Sequence, residues 1–284
     1  MLSLASPTPQ NTKIFVYQIF YDEESKRNLN FGFIPLDNTD NERPDWYEFW
    51  VIRNFLKNNE LQENAWYGFL SPKFVEKIGL QPLTVLYWLE MHDACNDVAL
   101  FSPGWDQLAY FLNPFEQGEM WHPGLTELSQ RCFENIGLKI DLNSLVTYSK
   151  TSVFSNYIIA RPNFWNRWLS IADRFYDLVE GNIMPELKQT TSYGLKSTQA
   201  PIKAFIQERI SSIILAQGQF KVTLPDRSQN APIYTVLFKN DSATRRMLQA
   251  CDLLKEKYCL TNNDDYLKMY YKIRNDIEFR EPKS

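Results

Sequence analysis

Glu119 and His122 stand three residues apart in EQGEMWHPG, with Gly118 just before them and Trp121 between them. A plain turn has no need of a carboxylate, an imidazole and an indole within nine residues. Glu119 suits a general base, and His122 suits an acid/base or phosphate-binding group. The polar residues leading up to them, Asp97, Ser102, Asp106 and Gln117, sit among aromatics in the run that begins DVALFSPGWDQ. The second constellation is FIQERISSIIL at 205–215. At helical spacing Ile202, Phe205, Ile206, Ile210, Ile213 and Ile214 share one apolar face, and Arg209 falls roughly 50° from its centre. An arginine keeps its charge, so one on a buried face requires a carboxylate or phosphate partner. Glu208, at the edge of that face, is able to point into a site; a structural Arg–carboxylate pair is the competing reading.

Two further strand ends carry weaker signals. In YGFLSPK, Ser71 and Lys73 follow a short strand and suit a phosphate, or merely a Ser-Pro turn that caps the next helix. Tyr17, Gln18 and Tyr21 offer an aromatic and an amide to a nucleobase, or form a core strand with a polar flank. Several chemistries lack their motifs: GxGxxG, GxxxxGK[ST], GxSxG and HExxH are all absent, and the chain has only 10 Gly. Two His exclude a multi-histidine metal site. The net charge of −4 disfavours nucleic acid as the main partner, because phosphate backbones select basic surfaces.

The elements that must position these residues follow from periodicity. KIFVYQIFY at 13–21 reads as a buried strand. Asp45 suits the N-cap of a helix through Phe55, WYGFLSP a second strand, residues 83–91 a helix, and DVALFSP a third strand. Helices are expected near 107–115 and 124–136, then a long strand at 153–162 and an amphipathic helix through Trp165, Trp168, Phe175 and Val179, ending near Gly181. Pro201 opens a helix through Ala216 that Gly218 closes. KVTLP and PIYTVLF read as late strands, and two final helices have caps near Asp241 and Asp264. Strands alternating with helices predict an α/β fold with a mainly parallel central sheet. In such sheets ligands bind beyond the carboxyl ends of the strands.

With hydrophobic residues at 44% and charged residues at 23%, the chain has a globular composition and is long enough to bury a large core. Its 15% aromatics suit either a ring-binding pocket or core packing. The division expected is a disordered lead-in at 1–12, an α/β domain at 13–240 and a helical extension at 241–284 packed on it. Cys95, Cys132, Cys251 and Cys259 form no CxxC pair and are expected to be reduced and buried, as in the cytoplasm. No apolar run approaches the ~20 residues of a spanning helix, and MLSLASPTPQNTK lacks the pattern of a signal peptide.

The chain resembles bacterial glycosyltransferases of the GT-A type from polysaccharide and lipopolysaccharide gene clusters. The opening YQIFYDEESKRNL…GFIPLDN, the order of NDVALFSPGWDQ before VFSNYIIARPNFWNRWL, and the segment FIQERI carry the resemblance, loosely, over most of residues 13–225. It implies a GT-A-like fold, a nucleotide-sugar donor and a surface-glycan acceptor. It also implies that Asn156 hydrogen-bonds a sugar and that Trp105, Trp121 and Trp165 offer stacking platforms. The family's DxD motif, which holds Mg²⁺ or Mn²⁺ against the diphosphate, is missing, and Ser102-Pro103-Gly104-Trp105-Asp106 stands in its place. Either Asp106 alone helps hold a divalent metal, or Lys73, His122 and Arg209 neutralise the diphosphate; the second version predicts activity that survives EDTA. Two readings of other classes compete. One is a non-catalytic nucleotide- or carbohydrate-binding protein on the same fold. The other is a scaffold subunit whose segment KMYYKIRNDIEFREPKS docks to partners or touches the inner membrane face, although its mixed charge favours a solvated helix.

Overall fold

The computed structural model describes residues 12–193 and 196–280. In chain order the elements are β1 (Ile14–Phe20), α1 (Glu23–Arg27), β2 (Ile34–Asp37), α2 (Tyr47–Asn58), β3 (Trp66–Leu70), α3 (Phe74–Ile78), α4 (Pro82–Met91) and β4 (Val98–Leu100). Then come α5 (Trp105–Tyr110), α6 (Pro114–Trp121), α7 (Leu125–Asn135), β5 (Ile158–Ala160) and α8 (Pro162–Glu180). The chain continues through a hairpin of β6 (Thr190–Tyr193) and β7 (Lys196–Pro201), α9 (Ile202–Gln207), α10 (Ile210–Ala216), β8 (Val222–Thr223), α11 (Ser242–Thr261) and α12 (Asp264–Asp276). The expected lead-in at 1–12 lies, apart from Thr12, outside the described residues.

Six strands form the main sheet in the order β2-β1-β3-β5-β4-β8. The β1–β2, β1–β3 and β4–β8 pairs are parallel, whereas β5 runs antiparallel to both β3 and β4. The sheet is therefore mixed: five strands point one way and β5, near its centre, points the other. Their carboxyl ends share one edge with the start of β5.

Side chains alternate across this sheet. Tyr67, Phe69, Val98, Leu100, Ile158 and Ala160 pack into the larger core with α2, α7, α8 and the α9–α10 pair. Trp66, Leu70, Ala99 and Ile159 face the opposite side, with Phe74, Ile78, Val85 and Leu89 of α3 and α4. The period of two puts successive residues on opposite faces, so a strand covered on both sides must be apolar throughout, as β3 is. Gly68 lets the strands close: a Cβ there would come within 2.7 Å of Ile159 Cγ1. A third cluster joins Trp105, Tyr110 and Phe111 to residues 231–238 and to the α11–α12 hairpin. Lys255 of α11, fully buried, donates from Nζ to Leu108 O (2.6 Å) and Phe111 O (2.5 Å) at the end of α5. Arg274 of α12 pairs with Glu116 of α6 at 2.7 Å.

Several expected elements are shorter or broken. The strand foreseen at 153–162 is confined to β5, because Ser155 and Asn156 take left-handed backbones with φ of 63° and 51°. The segment PIYTVLF forms turns and a single bridge, Phe238 with Phe279; the carboxylate of Asp106 takes the amide of Tyr234 at 2.6 Å. A helix across 107–115 is divided by Pro114, with Asn113 capping α6 through hydrogen bonds from Phe115 N and Glu116 N. The helix foreseen from Pro201 through Ala216 breaks at Glu208 and Arg209. There Arg209 N bonds Ile206 O at 3.0 Å, and the Phe205 carbonyl that an unbroken helix would give to Arg209 N accepts the Arg209 guanidinium at 2.6 Å. Asp45 caps nothing; it pairs with Arg43 at 2.9 Å and with Lys203, while Trp46 occupies the N-cap position of α2. Asp241 does cap α11, and Asn263, one residue before Asp264, caps α12. Cys132 and Cys251 are buried as expected, but Cys95 and Cys259 are exposed; all four are free thiols.

Candidate functional site

Four sequence candidates, Tyr21, Ser71, Lys73 and Glu208, meet at the carboxyl edge of the sheet with residues that local patterns did not single out. Ser71, directly after β3, shares a 2.7 Å hydrogen bond with the hydroxyl of Tyr157 at the start of β5. Lys77 of α3 lies 5.7 Å from the Tyr157 ring centre. It also acts on Glu208, which sits in the break between α9 and α10. Burial pushes the Glu208 carboxyl above its ordinary range; the Arg209 guanidinium opposes that shift, and Glu48 of α2 adds to it. Glu48 in turn acts on the exposed rings of Tyr21, after β1, and Tyr47. Tyr21, Tyr47, Glu48, Ser71, Lys77 and Glu208 thus gather at this edge, with exposed Lys73 one turn from Lys77.

Some of the molecule's left-handed backbone and unmet hydrogen-bonding capacity lies at the same edge. Ser155, Asn156 and Tyr47 all hold φ between 51° and 63°, a region costing about 1–3 kcal/mol for such residues. Asn156 is buried and its Oδ1 has no donor among the described residues. Gln207, beside Glu208, gives its Nε2 to Trp46 O at 3.3 Å and leaves Oε1 without a donor among the described residues. Buried acceptors are nearly always satisfied, so Asn156 Oδ1 and Gln207 Oε1 are open to a hydrogen-bond donor. Ser102, after β4, accepts from Phe154 N at 3.2 Å and holds the loop before Asn156 in place.

The other sequence candidates are committed elsewhere. Asp97 precedes β4, at the amino end of that strand, where it takes the amide of Lys221 at 2.9 Å. Asp106 is buried against residue 234, with Oδ2 occupied, Oδ1 unmet and its carboxyl pushed up by burial. Glu119 caps α7, accepting from Gly124 N at 2.6 Å and Thr126 N at 2.8 Å. Arg209 forms no ion pair with a carboxylate among the described residues: it donates to Pro114 O (2.8 Å), Phe205 O (2.6 Å) and Gln117 Oε1 (3.1 Å). Gly118 makes room for it, since a Cβ there would stand 2.5 Å from Arg209 Nη2. His122 stacks on Phe205 at 3.8 Å between ring centres, and burial, aided by Arg209, lowers its pKa to about 4. A neutral, covered imidazole offers no charge to a diphosphate at pH 7. Gln18 is fully buried and tied to Asn30, accepting from its N at 2.7 Å and donating to its Oδ1 at 2.8 Å. Tyr17 packs between Phe55 and Phe69. Trp105 and Trp165 are buried, Trp165 donating to Tyr67 O at 2.9 Å, and Trp121 packs against the third core cluster.

Size does not select the site. A large cleft, about 990 Å³, lies between α6, α7 and α12. Two of its carboxylates, Glu116 and Glu119, already have partners in Arg274 and the α7 amides. Among the described residues no three His, Cys, Asp or Glu side chains form a metal-binding group. The carboxylates at this edge, Glu208 and Glu48 with Asp22 and Glu24 beside Tyr21, are not gathered into such a group, so they do not amount to the metal site a DxD motif would provide. No helix of the described residues is long and apolar enough to cross a membrane. In α12, Tyr270 is fully buried and donates to Tyr110 O at 2.6 Å, so that helix packs on the body of the protein and leaves Met269 and Tyr271 outward. Comparison with protein-family models, with curated proteins and with solved structures finds no match to this chain.

Proposed function

We propose that the edge formed by the strand ends binds a nucleotide sugar of the cytoplasm and transfers its glycosyl group to a hydroxyl of a surface-glycan acceptor. The observation that carries this reading is the position of Glu208: a carboxyl raised by burial, beside Glu48 and Lys77, on the edge where ligands of such sheets bind. A carboxylate of raised basicity removes a hydroxyl proton more readily near neutral pH. In the displacement the acceptor oxygen, deprotonated by Glu208, bonds to the anomeric carbon as the bond to the diphosphate breaks. The nucleoside diphosphate departs with the electron pair. Lys73 and Lys77 are cations at this edge able to offset its charge, and Tyr21 and Tyr47 present exposed rings to the base or the sugar. Asn156 Oδ1 is an acceptor for a sugar hydroxyl. No step passes through a metal.

The experiment is a thermal-shift screen against UDP, GDP, CDP and CMP sugars, followed by nucleotide release from the stabilising donor. A concentration-dependent rise in melting temperature identifies the donor class. Glu208→Gln should keep that rise and lose turnover by about 10²–10⁴-fold. Turnover equal to wild type in Glu208→Gln, or no shift with any donor, sinks the reading. Binding without turnover, with acceptors supplied, identifies a non-catalytic binding protein instead.

A further inference from the structure

A cleft opens between the end of β4, the segment after β8, and α11. It holds about 370 Å³, within the range of small-ligand sites, and a small recess of about 20 Å³ continues it toward Leu100 and Ser102. Trp105 and Ser149 border both spaces, and so does Arg227. The Arg227 side chain makes no hydrogen bond or ion pair among the described residues, and its Nη1 is buried. No other arginine in the described chain combines a buried terminal nitrogen with the lack of any partner for it.

The surrounding loop is fixed, so the guanidinium is not loose. Arg245 donates to Ser228 O at 2.8 Å and to Ala231 O at 2.9 Å, and Ser228 N bonds Asp226 Oδ1 at 2.9 Å. The half-buried guanidinium thus has one terminal nitrogen shut off from solvent and unpaired, an arrangement that carries a desolvation cost. The remaining wall is of a different character. Asp252 accepts the amide of Ser149 at 2.9 Å through Oδ1, Glu256 pairs with Lys150 at 3.3 Å, and Gln249 presents a carboxamide. Asp226 stands exposed at the mouth. A simple anion would meet repulsion from these carboxylates, whereas hydroxyl groups would donate to them.

We propose that this cleft binds a small polyhydroxylated phosphate ester, its phosphate against Arg227 and its hydroxyls toward Asp252, Glu256 and Gln249. Arginine grips phosphate oxygens with paired N–H donors, and carboxylates and carboxamides are the usual acceptors for sugar hydroxyls. The site stands independently of the transferase reading, because Arg227, Gln249, Asp252 and Glu256 take no part in that reading.

Isothermal titration of the full chain with glucose 1-phosphate, inorganic phosphate and glucose tests it, with Arg227→Met and Gln249→Ala alongside wild type. Glucose 1-phosphate should bind best. Arg227→Met should weaken it by at least about tenfold, as expected when a charged hydrogen-bonding group is lost. Gln249→Ala should weaken glucose 1-phosphate more than inorganic phosphate. Removing an unpartnered cation should leave the melting temperature of the ligand-free protein unchanged or raised in Arg227→Met. The proposal fails if no phosphate ester binds, or if affinity survives Arg227→Met. It fails equally if inorganic phosphate matches the ester, or if Arg227→Met melts below wild type, which would make the guanidinium a structural group.

Discussion

Acidification should weaken this fold through His122 in particular. The ring is 5% exposed, lies against Phe205 at 3.8 Å and has a pKa lowered from 6.5 to about 4, first by burial and then by Arg209. In the unfolded chain the same imidazole takes a proton near pH 6.5. Between that value and about 4 the unfolded state therefore binds more protons than the folded one, and stability falls as pH falls. Above pH 6.5 the contribution is complete; below about 4 it has been lost in full. At about 1.36 kcal/mol per pKa unit the whole loss comes to about 3 kcal/mol, a large share of the ~5–15 kcal/mol typical of a domain. His122→Phe preserves the ring stack and removes the proton site. Urea unfolding followed by tryptophan fluorescence, between about pH 7 and pH 4.5, should show wild type losing about 2 kcal/mol more than the variant across the window. The extra volume of Phe adds a fixed offset of roughly 1 kcal/mol, which leaves the slope unchanged. Parallel pH profiles for the two proteins would refute the assignment.

Two further outcomes follow from close packing and backbone strain. Gly118→Ala would place a Cβ 2.4 Å from Leu125 Cδ2 and 2.5 Å from Arg209 Nη2, so it should destabilise by about 1–3 kcal/mol; an unchanged urea midpoint would contradict the packing. Ser155→Gly should relieve the left-handed backbone at φ 63° and stabilise by about 1 kcal/mol, visible as a rise of a few degrees in melting temperature. A fall would mean that the serine side chain supports the loop.

Local sequence determined the elements whose signals are periodic or capped. β1 starts one residue inside the expected 13–21 run, α7 and α8 match their amphipathic stripes, and Asp241 caps α11 as its position suggests. The buried stripe of Ile206, Ile210, Ile213 and Ile214 also survives, although the helix that should carry it is broken. Patterns of 2 and 3.6 residues report which face is apolar, and that information is local. Tertiary structure decided everything that depends on distant partners. The antiparallel insertion of β5 between β3 and β4 follows from pairing across about 60 to 90 residues, which no local pattern contains. Arg209 was legible as a buried cation needing a partner; that the partners are carbonyls of residues 114 and 205 was not, because they come from a capped helix start and a broken turn. Asp97 and Glu119 have the chemistry of site residues, but the fold uses them to satisfy backbone amides. Glu208 lies with Glu48 and Lys77, residues about 130 to 160 positions away, only because the sheet brings α2, α3 and the α9–α10 break to one edge. Residue type records what a side chain is able to do, and the long-range packing decides which neighbours it does it with.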